Sequence, residues 1–188
     1  MKYMEVRVKE LSLHILDIVQ NSIKSGASLI ELSIVEKNVE NIFNIIIKDN
    51  GCGKDEETVK NVVNPFFTTR TTRKVGLGLP LLQEAALRCN GTFDIESKKG
   101  IGTRVSCSFE KDNIDRAPLG DISSTIMTIV NSLEDCEFIF MHKVDEKFYE
   151  FSTRKIKEIL EENDLKSSEI LIWIKEYIEE STKELYNI

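Results

Sequence analysis

The chain has 188 residues, 41% hydrophobic and 30% charged, with a net charge of −7. Size and composition fit a soluble globular domain, alone or with a small appendage. They argue against a membrane span, which needs roughly 18–20 consecutive apolar residues. The acidic balance argues against general nucleic-acid binding, because neutralising phosphates takes clustered cations. The cysteines Cys52, Cys89, Cys107 and Cys136 are widely spaced and form no Cys-x-x-Cys pair. They read as reduced thiols, with neither a disulfide framework nor a zinc site. The first residues lack the apolar core of a signal peptide, so a cytoplasmic location is expected.

In residues 10–25, Leu11, Ile15, Ile18 and Val19 recur at helical spacing, and His14, Asp17, Asn21 and Lys24 make a polar stripe. Gly26 is a suitable helix stop. Residues 29–35 alternate, with Ile30, Leu32 and Ile34 to one side, as a half-buried strand does. A polar turn at 38–41 leads to a second, almost wholly apolar strand over 42–47, ending at Asp49. Asp55-Glu-Glu-Thr opens a short helical stretch that Pro65 closes. A further helix runs from Leu79-Pro80 to Asn90-Gly91, and 92–96 with 103–109 read as a hairpin. The order helix, strands, helices, strands predicts an α+β fold, a two-layer α/β sandwich with one mixed sheet covered by helices.

Polar residues 111–119, with Pro118, are the best candidate boundary. They divide the chain into a domain over 1–112 and a small C-terminal α/β appendage over 118–188, a candidate partner-binding element. Within the appendage, 122–133 reads as a helix, 137–143 and 147–151 as a hairpin, and 156–161 and 168–180 as two helices.

Four short motifs fall in order within this frame: Asp17-Ile-Val-Gln-Asn21-Ser22-Ile23-Lys24, Asp49-Asn-Gly51-Cys-Gly53, Asn-Pro65-Phe66-Phe67-Thr-Thr-Arg70 and Gly76-Leu77-Gly78-Leu79. Arg70, Arg73 and Lys74 form a small basic focus in an acidic chain, which suits a triphosphate better than a duplex. The last motif places backbone N–H groups at a helix start, where anions bind. Together the motifs resemble the N, G1, F and G2 boxes of the GHKL superfamily, which includes histidine-kinase catalytic domains, gyrase-type ATPases and mismatch-repair ATPases. The resemblance covers about residues 10–110 and implies a Bergerat-type ATP-binding fold with ATP and Mg²⁺ as ligands.

The resemblance makes Asn21 the Mg²⁺ ligand, in keeping with the hard oxygen donors that this ion takes. It gives Lys24 a phosphate contact. It makes Asp49 the acceptor of the adenine amine, with Gly51 and Gly53 beside the base and Thr103 joining through water. Phe66, Arg70, Lys74, Gly76, Leu77, Gly78 and Leu79 line the lid and the phosphate end. Asp17 stands one turn before Asn21, where hydrolytic members carry a Glu that orients water; it is one methylene shorter, and a solvated surface carboxylate is the competing reading. Neither His14 nor His142 lies in a phosphoacceptor context. The resemblance therefore implies transfer of the γ-phosphoryl group to a partner protein or to water, without an acceptor domain in this sequence. The alternative is a non-enzymatic ATP-dependent switch acting on a partner protein.

Overall fold

The computed structural model describes residues 10–62, 78–161 and 164–187. In chain order the elements are α1 (Leu11–Lys24), β1 (Leu29–Lys37), β2 (Ile42–Asp49), α2 (Glu56–Val62), α3 (Gly78–Arg88), β3 (Phe93–Lys98), β4 (Gly102–Glu110), α4 (Ile122–Ser132), β5 (Glu137–Val144), β6 (Lys147–Ser152), α5 (Thr153–Leu160) and α6 (Ser168–Tyr186).

The strands form one six-stranded sheet in the order β3-β4-β2-β1-β5-β6. Every pairing is antiparallel except that of β1 with β5, which is parallel. The sheet is therefore mixed, and the stretch read as an appendage adds β5 and β6 to it. Alternation sets the core: Ile30, Leu32 and Ile34 of β1 and Phe43, Ile45 and Ile47 of β2 are buried, while their neighbours are only half-buried or exposed. Val105, Cys107, Phe109, Phe138 and Phe140 continue that buried layer. It packs against the apolar stripes of the helices, including Leu11, Ile15, Leu82, Ile126, Ile129, Ile174 and Ile178. The result is the two-layer α+β sandwich expected from the pattern.

The start of α1 has no side-chain cap. Two of its first-turn amides, those of Leu11 and Ser12, donate instead to the carbonyls of Pro118 and Leu119, at 2.9 and 2.8 Å. The segment between the two halves of the sheet thus satisfies donors that a helix start leaves free. The other end of α1 closes as expected, with Gly26 at φ 73°. The caps of α4, α5 and α6 are Asp121, Ser152 and Ser167.

Several elements depart from the expected bounds, and for three of them side-chain contacts give the reason. β1 continues to Lys37, because Glu36 turns inward and finds three partners: buried His142 Nε2 at 3.1 Å, Lys111 Nζ at 3.0 Å and the Tyr186 hydroxyl. α5 begins at Thr153, directly after β6, since Ser152 caps it there. α6 runs on to Tyr186, whose turn is held by buried Leu185 and by the contact with Glu36. His142, on β5, is fully buried beside Phe140 and Tyr149.

Candidate functional site

α1 presents Asp17, Asn21 and Lys24 to solvent, but His14 does not belong to that stripe. It is 3% exposed. α3 packs on this part of α1, and His14 makes a hydrogen bond with the Gly78 backbone; burial lowers the imidazole pKa, partly opposed by Asp17 and by that bond. Gly78 opens α3 and is itself buried: a Cβ there would stand 2.9 Å from the Asp17 Cβ and 3.3 Å from its Oδ2. Asp17 is thus set against the N-terminal turn of α3, where the macrodipole favours a carboxylate. Leu79 is 7% exposed and belongs to the core, so its part in a site is confined to the backbone. Pro80 falls in the first turn, where its missing N–H costs nothing.

At the far end of α1 lies Asp49, the last residue of β2, flanked in the sheet by Ile30 of β1 and Thr103 of β4. Its side chain is buried and held at both oxygens. Ser22 Oγ donates to Oδ2 at 2.6 Å, and the Gly51 N–H donates to Oδ1 at 2.9 Å. The following loop is pinned to the end of α1. Asn50 Oδ1 accepts from the amides of Ser28 and Leu29 at 2.9 Å, and the Cys52 N–H donates to the Ser25 carbonyl at 3.0 Å. Gly53 sits at φ 63°, and a Cβ on it would lie 2.0 Å from the Lys98 carbonyl oxygen. Only glycine fits both the conformation and that approach from the β3–β4 turn. Thr103, half-buried, shares a 2.8 Å hydrogen bond with the hydroxyl of Ser97.

These contacts tie Asp17 to the start of α3, and gather Asp49, Gly51, Gly53 and Thr103 at the end of the sheet beside the last turn of α1, which also carries the exposed Asn21 and Lys24. Phe66, Arg70, Lys74, Gly76 and Leu77 lie outside the described residues. Sequence reasoning missed Ser22, Asn50 and Ser97. Ser22 had a readable signal, because it continues the row Leu11, Ile15, Ile18 at the spacing of the buried face, where a hydroxyl needs a partner.

Among the described residues, no cluster of three or more His, Cys, Asp and Glu side chains could hold a metal alone. The donor set is instead one exposed amide, Asn21, with a carboxylate one turn away. That fits an ion such as Mg²⁺, which retains waters and shares its coordination with phosphate oxygens. No helix among the described residues is long and apolar enough to cross a membrane.

A family model described as "Histidine kinase-, DNA gyrase B-, and HSP90-like ATPase" matches residues 7–113. The chain is similar to the sensor histidine kinase YvrG of Bacillus subtilis, 32% identical over 95 residues, which are 48% of this chain and 16% of that kinase. It is also similar to the tetrathionate sensor histidine kinase TtrS of Salmonella typhimurium, 34% identical over 113 residues, or 58% of this chain and 18% of the kinase. The chain therefore spans under a fifth of the length of either relative. Its fold resembles the solved N-terminal domain of a DNA repair protein, with a TM-score of 0.51 at 16% identity, covering 78% of this chain and 53% of that one.

Proposed function

We propose, from the premise that this chain belongs to the family of histidine kinase-, DNA gyrase B- and HSP90-like ATPases, that it binds Mg-ATP and passes the γ-phosphoryl group to a partner protein or to water. The observation that carries this reading is the Asp49 carboxylate, buried at the mouth of the sheet, fixed at both oxygens and opposite Thr103. An acceptor-only group there suits the exocyclic amine of adenine, whereas guanine presents a carbonyl at the same position. The triphosphate would then extend along α1 toward Asn21 and Lys24 and the N-terminal turn of α3. Asn21 would hold magnesium, which when bound bridges phosphate oxygens and offsets their charge. Lys24 would neutralise phosphate, and the α3 start would orient it with backbone amides.

The burial of both histidines, His14 at 3% and His142 at 0% exposure, supports an acceptor other than these two side chains, on a partner protein or in water. An in-line transfer needs a nucleophile that can reach the γ-phosphate. The net charge of −7 supports a protein rather than a nucleic acid as the partner, and a cytoplasmic setting away from the membrane goes with this reading.

One observation favours the alternative, a nucleotide switch acting on a partner without turnover. Asp17, the candidate water-orienting group, packs against Gly78 at the start of α3, a place where a carboxylate can serve the helix instead of a water. Following the γ-phosphate of labelled Mg-ATP distinguishes the outcomes: labelled partner protein, free phosphate, or intact ATP. Binding without label transfer or phosphate release selects the switch, and absence of Mg-ATP binding refutes the whole proposal.

A further inference from the structure

Asn21 and Ser22 are adjacent on α1 but differ in setting, Asn21 exposed to solvent and Ser22 buried at 4% exposure. Ser22 occupies a position where the rest of its row is aliphatic, so its hydroxyl contributes nothing to apolar packing. Nor does the helix end depend on that hydroxyl, since it is the Ser22 carbonyl that accepts from Ser25 Oγ and from the amides of Ser25 and Ala27. The hydroxyl reaches instead across 27 positions of sequence to Asp49 Oδ2, at 2.6 Å.

We infer that Ser22 is a specificity-determining residue of the nucleotide site, one that fixes the Asp49 carboxylate so that it selects an amino group over a carbonyl at the 6-position of a purine. The inference rests on the reading of Asp49 as the base acceptor. Its physical basis is rotation about the Cβ–Cγ bond, which is soft for a carboxylate. Among the described residues, Ser22 Oγ and the Gly51 N–H are the two donors to this group, one at each oxygen. Two donors on different oxygens define the carboxylate plane, and each oxygen keeps capacity to accept another bond. With the Gly51 N–H alone, the plane is free to turn about a single hydrogen bond. A turned carboxylate loses alignment with a 6-amino group, whereas a 6-carbonyl has no such bond to lose, so discrimination falls mainly through weaker binding of the amino form. Ser22 therefore acts through Asp49, as a positioning residue next to the metal-ligand candidate.

The test is calorimetric titration of the full chain with Mg-ATP and with Mg-ITP, whose base differs at the 6-position, for wild type, Ser22→Ala and Ser22→Cys. Cysteine is close to serine in size but a weak donor, so Ser22→Cys keeps the packing and removes most of the hydrogen bond. The expected result in both variants is ATP affinity lower by about tenfold, the effect of one hydrogen bond to a charged group, with ITP affinity changed by less than about twofold. An ATP-to-ITP ratio equal to that of wild type overturns the inference, and so does equal weakening of both nucleotides, which is the mark of a purely structural role. If Ser22→Ala does not fold, the ratio for Ser22→Cys decides. Wild-type protein that binds ATP and ITP equally well refutes the base assignment of Asp49 itself, a separate failure visible before any variant is measured.

Discussion

Replacing Glu36 by Gln removes a charge that the fold surrounds with donors. Glu36 is 3% exposed and accepts from His142 Nε2 at 3.1 Å, Lys111 Nζ at 3.0 Å and the Tyr186 hydroxyl. Burial works to raise its pKa, but these three hydrogen bonds and the Lys111 charge outweigh it and hold the carboxyl at about 2, against an ordinary 4.5. A depression of that size corresponds to roughly 3–4 kcal/mol of folding stability at neutral pH. For a chain of this length, that is a loss of roughly 7–14 °C in melting temperature on Glu36→Gln. The sign with pH follows from the depressed value. The stabilisation is complete above 4.5 and is lost as pH falls through about 2. Urea unfolding followed by circular dichroism should therefore show the full gap between wild type and Glu36→Gln near pH 7, and less than about half of it near pH 3. Nucleotide affinity should be unchanged. Glu36 stands six residues along β1 from Ile30, the register partner of Asp49, a distance of roughly 20 Å. Equal stability at neutral pH, or a gap of the same size in acid, refutes the reasoning.

Asp49→Asn should abolish the preference for ATP over GTP in calorimetry, because an amide can offer the base a donor as well as an acceptor. Asn21→Ala should bind ATP no better with Mg²⁺ than without it, whereas retained magnesium dependence removes Asn21 from the site. Asp17→Asn should bind ATP normally and, if Asp17 acts as a general base, turn it over roughly 10²–10⁴-fold more slowly; unchanged turnover leaves Asp17 with the α3 terminus alone. Gly53→Ala should cost about 1–3 kcal/mol or more, measured by denaturant titration, since φ 63° and the Lys98 carbonyl both oppose a side chain.

Local periodicity carried much of the fold. The row Leu11, Ile15, Ile18 and Val19 announces α1, and the alternation of Ile30, Leu32 and Ile34 announces β1, because a buried face repeats with the geometry of its own element. The demand for glycine at position 53 was legible for a related reason, a backbone conformation and close approach that only one residue type meets. What stayed hidden depends on partners remote in sequence. Glu36 reads as the polar end of a strand until His142, 106 positions later, is placed beside it. His14 reads as part of the polar stripe until α3 covers it. The pairing of β1 with β5 leaves no local trace, because parallel neighbours share no turn; the polar stretch 111–119 looks like a boundary although the sheet continues on both sides of it.

That parallel pairing also bears on how the chain is made. Leu29 pairs with Glu137, so one edge of β1 waits for a strand synthesised 108 residues later. At ribosomal rates of roughly 5–20 residues per second, the wait is roughly 5–20 s. During it the segment Leu-Ile-Glu-Leu-Ser-Ile-Val has its hairpin partner β2 on one side only. A strand so rich in branched aliphatic residues, with a free row of amides and carbonyls, is a template for pairing with another nascent chain. Chains that end before Glu137 should accumulate as aggregates even though they contain every nucleotide-binding motif, and slower synthesis between Asn50 and Glu137 should lower the yield of native protein more than slowing elsewhere.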